Sequence, residues 1–327
     1  MRLKAGKPIN ALLTLCLIFP WTLNAQKTAR ISLPEQFARL GYEPIELQRT
    51  AENHLFLFGK LNGRRRSVLV DSGWSFTTVS TNAARKLPSS RGGGTNEPPS
   101  VLIEELKLGR NSFSNQLTRV ERMVFDGQAT PFEVVLGCDF LRRHFAVIDC
   151  LNQRLYVRSS APTEQEQIKL EGILRANGFE AVALDLKNPL AITCPARVND
   201  QPVEMLVDTG AVWSTLDVRQ LDRLGLRALP TLAKISGVGR TGTRGVAVGE
   251  AESFALGDVR MKDANFALMD LSDWGLAAPG KELSEVQGIL GGAELLANGA
   301  LIDCHRLKLW VKRGGGNGIR IVTQPAR

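Results

Sequence analysis

Two carboxylates in this chain stand in matching settings. Asp71 ends the apolar run Val68-Leu69-Val70 and is followed by Ser72-Gly73. Asp208 ends the run Met205-Leu206-Val207 and is followed by Thr209-Gly210. An acid at the end of a buried strand is costly unless it has a partner. Two such acids, one in each half of the chain, can partner each other. Held close, they cannot both ionise, so the pair shares a proton. The ionised member can take a proton from a trapped water, and the protonated member can donate to a carbonyl oxygen. That is general acid–base hydrolysis of an amide without a covalent intermediate. Gly73 and Gly210 let the backbone approach closely and turn sharply. The Ser72 and Thr209 hydroxyls are suited to bond the opposite loop and lock the acids in place.

The elements around these acids are also duplicated. Asp208 lies 137 positions after Asp71, and the same offset relates Asn199-Asp200 to Asn62-Gly63 and Gly178 to Gly41. Between these points the copies align without a gap. Each reads as an alternating strand, a tight turn and the apolar strand bearing the acid. Asn-Gly between apolar runs is a strong hairpin signal. The repeat resumes at Val134-Val135-Leu136-Gly137 and Gly288-Ile289-Leu290-Gly291, then at Val147-Ile148-Asp149-Cys150 and Leu301-Ile302-Asp303-Cys304. There the offset is 154, so the second copy has gained 154 − 137 = 17 residues. A long repeat present twice means duplicated lobes. Short, β-branched, turn-punctuated segments fill most of the remainder and predict all-β lobes. Two short helices are expected, one capped by Ser32 and ending near Gly41, the other over Glu164–Ala176.

Length and composition agree with this. The chain has 327 residues, 43% of them hydrophobic, enough for two lobes with cores of their own. Arg2, Lys4 and Lys7 precede the apolar run Ala11 to Phe19, which predicts an export signal cut after Ala25. That run is too short to span a membrane, so stable membrane insertion is not expected. The three signal cations leave 8 − 3 = +5 on the mature chain. The charge is spread, and its densest cluster, Arg64-Arg65-Arg66, reads as a solvated turn, so no nucleic-acid partner is expected. Cys138, Cys150, Cys194 and Cys304 allow three disulfide connectivities, but buried thiols are the preferred reading. His54, His144 and His305 are isolated and read as surface residues, so neither a metal site nor a Ser/His triad is indicated. No cofactor is called for. Asp149 and Asp303, though repeated, read as turn caps. Asp139 follows the first apolar-apolar-Gly, but its counterpart is Ala293, so it is not expected to belong to a symmetric site.

On Asp71-Ser72-Gly73, Asp208-Thr209-Gly210 and their downstream Val135-Leu136-Gly137 and Ile289-Leu290-Gly291, the chain resembles the pepsin/retropepsin-like aspartic peptidases, especially exported two-lobed single-chain members. The resemblance spans residues 40 to 312. It implies two duplicated β-barrel lobes of double-psi type, with the active site between them. It makes Asp71 and Asp208 the catalytic pair, supported by Ser72, Gly73, Thr209 and Gly210. It also implies that each apolar-apolar-Gly segment packs beneath its loop. Pepsin-like members usually carry Ser or Thr after the Asp-Thr-Gly; here those positions are Trp74 and Ala211. Losing a hydrogen bond to the charged acid favours its protonated form, so activity should extend toward neutral pH. Trp74 stands beside the pair, where it would form or narrow a substrate subsite. The segment Gly237-Val238-Gly239-Arg240-Thr241-Gly242 fits a dinucleotide fingerprint, but no helix opening follows it. A glycine-rich hairpin fits better, where the family carries its flap. Ser236, Gly237, Val238 and Gly239 are therefore assigned to flap and substrate binding, with Trp74. From Asp71 to Gly109 is 38 residues, against 49 from Asp208 to Gly257, so one working flap is expected, from lobe two.

The expected organisation is a signal peptide over 1–25, a first lobe over 26–158, a linker over 159–165, a second lobe with flap over 166–313 and a flexible tail over 314–327. The expected function is an exported aspartic endopeptidase acting on peptides or unfolded proteins. Both acids lie in one chain, so a monomer suffices. The alternative is a peptide-binding or scaffolding protein that keeps the fold and has lost catalysis.

Overall fold

A computed structural model describes residues 31–85, 87–88, 99–125, 128–187, 190–235, 244–261, 264–274, 276 and 283–312. The expected signal segment, the flap residues Ser236 to Gly239 and the expected C-terminal tail lie outside the described residues.

Both halves begin with a hairpin. Strands Leu55–Leu61 and Arg64–Val70 pair antiparallel across Asn62-Gly63, and Ala191–Val198 pairs with Gln201–Val207 across Asn199-Asp200. All four turn residues take positive φ (44°, 78°, 47° and 60°), as a two-residue hairpin turn requires. Leu55, Leu57 and Leu61 point inward, while Phe58 and Lys60 are exposed, so period-two alternation fixes the register.

The acid-bearing strand is then flanked by a neighbour from far along the chain. Val134–Leu136 runs parallel to Arg64–Val70 and antiparallel to Thr78–Ser80. Gly288–Leu290 does the same between Gln201–Val207 and Thr215–Asp217. Thr78–Ser80 pairs in parallel with Asn111–Glu121, which pairs with Ser100–Leu108. That strand returns to Leu55–Leu61, closing a six-stranded barrel. The second half follows the same path. Its return strand is broken: Arg244–Glu250 pairs with Asn265–Met269, and Phe254–Leu256 pairs with Ala196–Val198. The described residues are thus mostly β, with few short helices and a closed barrel in the first half.

A feature not anticipated from the sequence joins the halves. The repeated segments Val147–Asp149 and Leu301–Asp303 pair antiparallel with each other, Ile148 opposite Ile302. They form the middle of a six-stranded sheet, with strands from both halves outside them. Helices Leu33–Arg39 and Glu164–Ala176 cover this sheet, their Phe37, Leu170 and Leu174 clustering with Tyr156 and Trp310 of its strands, all essentially inaccessible. Thr163 and Glu166 close a capping box at the start of the second helix. Asp149 accepts from Asn152 N and Asp303 from Arg306 N, both at 2.9 Å, so these acids cap turns. No helix among the described residues is long and apolar enough to cross a membrane.

Candidate active site

Each acid hangs from its strand at a fixed point. The Asp71 N–H donates to Leu136 O at 3.1 Å, and the Asp208 N–H donates to Leu290 O at 3.0 Å. The downstream glycines explain why these strands can lie so close. A Cβ on Gly137 would fall 2.7 Å from Trp74 O, and one on Gly291 would fall 2.4 Å from Trp213 C. Each apolar-apolar-Gly segment therefore seats against the turn that follows its acid.

The two loops meet face to face. A Cβ on Gly73 would fall 2.3 Å from Asp208 Cγ, and one on Gly210 would fall 2.3 Å from Asp71 Oδ2. Real Cβ atoms do not approach so closely, so glycine is required at both positions for the acids to meet. Four hydrogen bonds lock the loops. Ser72 Oγ donates to Val207 O at 2.8 Å, and Thr209 Oγ1 donates to Val70 O at 2.8 Å. Thr209 Oγ1 also accepts from Ser72 N at 3.0 Å, and Ser72 Oγ accepts from Thr209 N at 3.1 Å. Each hydroxyl thus spans to the opposite half once as donor and once as acceptor. Ser72 is inaccessible and Thr209 nearly so, which makes these bonds costly to lose.

Burial raises the pKa of both acids, and the neighbouring Asp208 charge raises that of Asp71 further. The pair therefore carries one proton over a wide pH range. Asp208 Oδ1 accepts from Gly210 N at 2.7 Å and from Ala211 N at 3.0 Å. Asp71 Oδ1 accepts from Gly73 N at 2.9 Å. The hydrogen bond between the acids raises Asp71 and lowers Asp208. The two acids therefore titrate as one unit, both raised by burial.

A second tier supports the loops, and here the sequence expectation for Asp139 is corrected. Asp139 Oδ1 accepts from Thr77 N and Thr77 Oγ1, both at 2.7 Å, while Thr77 Oγ1 accepts from Gly137 N at 3.2 Å. In the second half Glu294 Oε2 accepts from Ser214 N at 3.0 Å and Ser214 Oγ at 2.5 Å, and Ser214 Oγ accepts from Gly291 N at 3.0 Å. Asp139 does belong to a symmetric arrangement. Its counterpart is shifted by one position and lengthened by one methylene, so residue-by-residue matching to Ala293 misses it.

Trp74 is half-buried. Its indole Nε1 donates to Thr78 Oγ1 at 2.9 Å, and its ring packs on the patch formed by Leu69, Met123, Phe132 and Val135. The strands that would carry the flap, Ala228–Ile235 and Arg244–Glu250, pair antiparallel, while the tip with Ser236 to Gly239 lies outside the described residues. Cys138, Cys150, Cys194 and Cys304 are all buried free thiols, and Cys138 Sγ donates to Ser72 O at 3.0 Å. The histidines are not the surface residues expected. All three are partly buried, and His54 Nε2 lies 2.9 Å from Gly210 O in the opposite loop. No local motif marks His54, which reaches the site only through the fold.

Residues 194–293 match the aspartyl protease family, a stretch that includes Asp208-Thr209-Gly210 and Ile289-Leu290-Gly291. The match covers 100 of the 327 residues, all in the second half. No curated protein matches the chain significantly. Among solved structures, it is similar to a retropepsin-like aspartic protease from Rickettsia conorii, at 21% identity over 36% of this chain and 89% of that one, with a TM-score of 0.26. It is also similar to basic 7S globulin from soybean, at 12% identity over 84% of this chain and 94% of the other, with a TM-score of 0.43. Conglutin gamma from lupine seeds gives 12% identity, 84% and 95% coverage, and a TM-score of 0.43.

Proposed function

We propose that this chain is an exported, single-chain aspartic endopeptidase that cleaves peptides or unfolded proteins with Asp71 and Asp208. The observation that carries the reading is the mutual seating of the acids, each 2.3 Å from where a Cβ of the opposite loop's glycine would stand. A structural acid needs a cation or donors; two acids buried against each other disfavour ionisation and call for a shared proton. In the proposed reaction a water between them gives a proton to Asp208 and attacks the scissile carbonyl carbon. Asp71 gives its proton to the carbonyl oxygen. The tetrahedral adduct then collapses as a proton passes to the leaving nitrogen. Substrate would lie extended in the cleft, held by main-chain hydrogen bonds, with the Trp74 patch taking an apolar side chain and the lobe-two hairpin covering it. Ser236 to Gly239 would form the covering tip.

With hydroxyl support absent at Trp74 and Ala211, activity is expected to extend toward neutral pH. A profile that collapses above about pH 4, the ordinary carboxyl range, is the contrary result. The deciding experiment incubates the purified protein with an unfolded protein substrate from about pH 3 to about pH 8. Cleavage that a statine-type peptide blocks is expected. Absence of cleavage throughout that range leaves the lapsed, peptide-binding alternative.

A further inference from the structure

His54 sits at the edge of the acid pair for reasons written in its own loop. The chain turns sharply at Thr50 to His54: Thr50 N donates to His54 O at 3.0 Å, Asn53 N to Thr50 O at 3.1 Å, and His54 N to Thr50 Oγ1 at 3.2 Å. Asn53 is buried in the left-handed region, at φ 67°, and Arg49 donates to its carbonyl at 3.3 Å. This loop of the first half reaches the second, where Gly292 would meet Asn53 Cβ at 3.4 Å if it carried a Cβ. The imidazole therefore has a fixed address. A carbonyl oxygen only accepts, so Nε2 carries the hydrogen in the bond to Gly210 O. Gly210 is thereby bonded on both sides, its carbonyl to His54 and its N–H to Asp208 Oδ1 at 2.7 Å.

The duplication supplies an internal control. The position 137 residues after His54 is Ala191, which is buried in an apolar cluster and has no side-chain donor. Asp208 thus has an ionisable neighbour on its side, while Asp71 has none from the repeat.

We propose that His54 is a positioning residue for the acid pair, which holds the Gly210 loop at all pH values and, when protonated in acid, keeps the charge on Asp208. The proposal rests on the peptidase reading for its kinetic consequence only. Charged groups acting on His54 among the described residues are Asp208 from the facing loop and Glu52 from its own turn; Phe132 meets it edge-on, at 6.0 Å between rings. Burial lowers the His54 pKa, and Asp208 opposes that shift. A protonated ring beside Asp208 would oppose loss of the pair's charge.

The test has two arms. In the first, the pH profile of kcat/KM is compared for the parent and His54→Gln, which keeps an N–H donor but cannot titrate. The acid limb should move up by about one pH unit, the usual scale for losing a nearby opposite charge, with the alkaline limb unmoved. A change of amplitude alone, with both limbs in place, overturns the proposal. The second arm needs no activity. The His54 ring is titrated by NMR in Asp71→Asn, which leaves the lone charge on Asp208, and in Asp208→Asn, which leaves it on Asp71. The His54 pKa should be higher in Asp71→Asn, and equal values overturn the proposal. A parent that cleaves nothing defeats the peptidase reading but leaves this second arm to decide His54.

Discussion

Ser72 and Thr209 donate to Val207 O and Val70 O at the same 2.8 Å, so the loops of the two halves hold each other through one symmetric set of bonds. Around the acids the halves diverge. Asp208 has the ionisable His54 beyond Gly210, whereas the repeat position of His54 is the apolar Ala191, and Trp74 stands in the first half where Ala211 stands in the second. The comparison separates two jobs. Backbone geometry must be equal on both sides for the acids to meet, so the glycines and the hydroxyl grip are duplicated. Acid–base chemistry needs two acids in different states, so their surroundings must differ.

The strongest way to break the comparison is to remove one acid. Asp71→Asn and Asp208→Asn should each reduce cleavage of an unfolded substrate by about a thousandfold, within the range for losing a general acid or base. The same variants carry a stability signature. Both acids have raised pKa values in the folded state, so folding binds their protons more tightly than the unfolded chain does. That contribution is fully present below the unfolded carboxyl pKa and is lost as pH rises through the folded values. Either asparagine variant should therefore match the parent in acid and exceed it in urea stability at neutral pH. A neutral-pH loss of stability in both would show that the acids are structural.

Next come the glycines. A Cβ at Gly73 or Gly210 meets the opposing carboxylate at 2.3 Å, so that carboxylate must swing away from its partner. Gly73→Ala and Gly210→Ala should each cost about 3 kcal/mol, the upper part of the usual overpacking range, and separate the acids. Because the clash is mutual, denaturant midpoints should fall by similar amounts. The grip should give a smaller but equally symmetric effect. Ser72→Ala and Thr209→Ala each strand a buried carbonyl and an N–H, at about 2 kcal/mol. A large inequality between the two would refute the symmetric grip.

The sequence carried the symmetric part and obscured the asymmetric part. Asp71, Asp208, their hydroxyl and glycine neighbours and the supporting strands recur at a constant offset, because equivalent backbone must be built twice. The hairpins at Asn62-Gly63 and Asn199-Asp200 were legible for the same reason: positive φ selects few residue types. The helix Glu164–Ala176 was readable from its cap and its stop. The joining sheet was less so, because nothing local states that Val147–Asp149 and Leu301–Asp303 pair with each other rather than within their own halves. His54 reads as a surface residue in the sequence, since its contact with Gly210 spans 156 positions and leaves no spacing signature. Asp139 has no carboxylate counterpart at its own repeat position, whereas packing matches where a carboxylate ends.

The equivalence of Asp139 and Glu294 allows the subtlest test. Asp139 and Glu294 do the same work from adjacent repeat positions, each accepting the N–H and hydroxyl of Thr77 or Ser214. Glu294→Ala and Asp139→Ala should each cost about 1–2 kcal/mol in urea unfolding, with Glu294 the dearer because it is 5% exposed. If reach decides the matter, Glu294→Asp should cost nearly as much as Glu294→Ala, since the shorter side chain falls one methylene short of Ser214. Ala293→Asp combined with Glu294→Ala then moves the acid to the position the first half uses. That double variant should recover part of the loss, and it should do so only while Ser214 is present. Recovery that persists in Ser214→Ala would mean that the acid stabilises the turn through the nearby helix start and not through the hydroxyl.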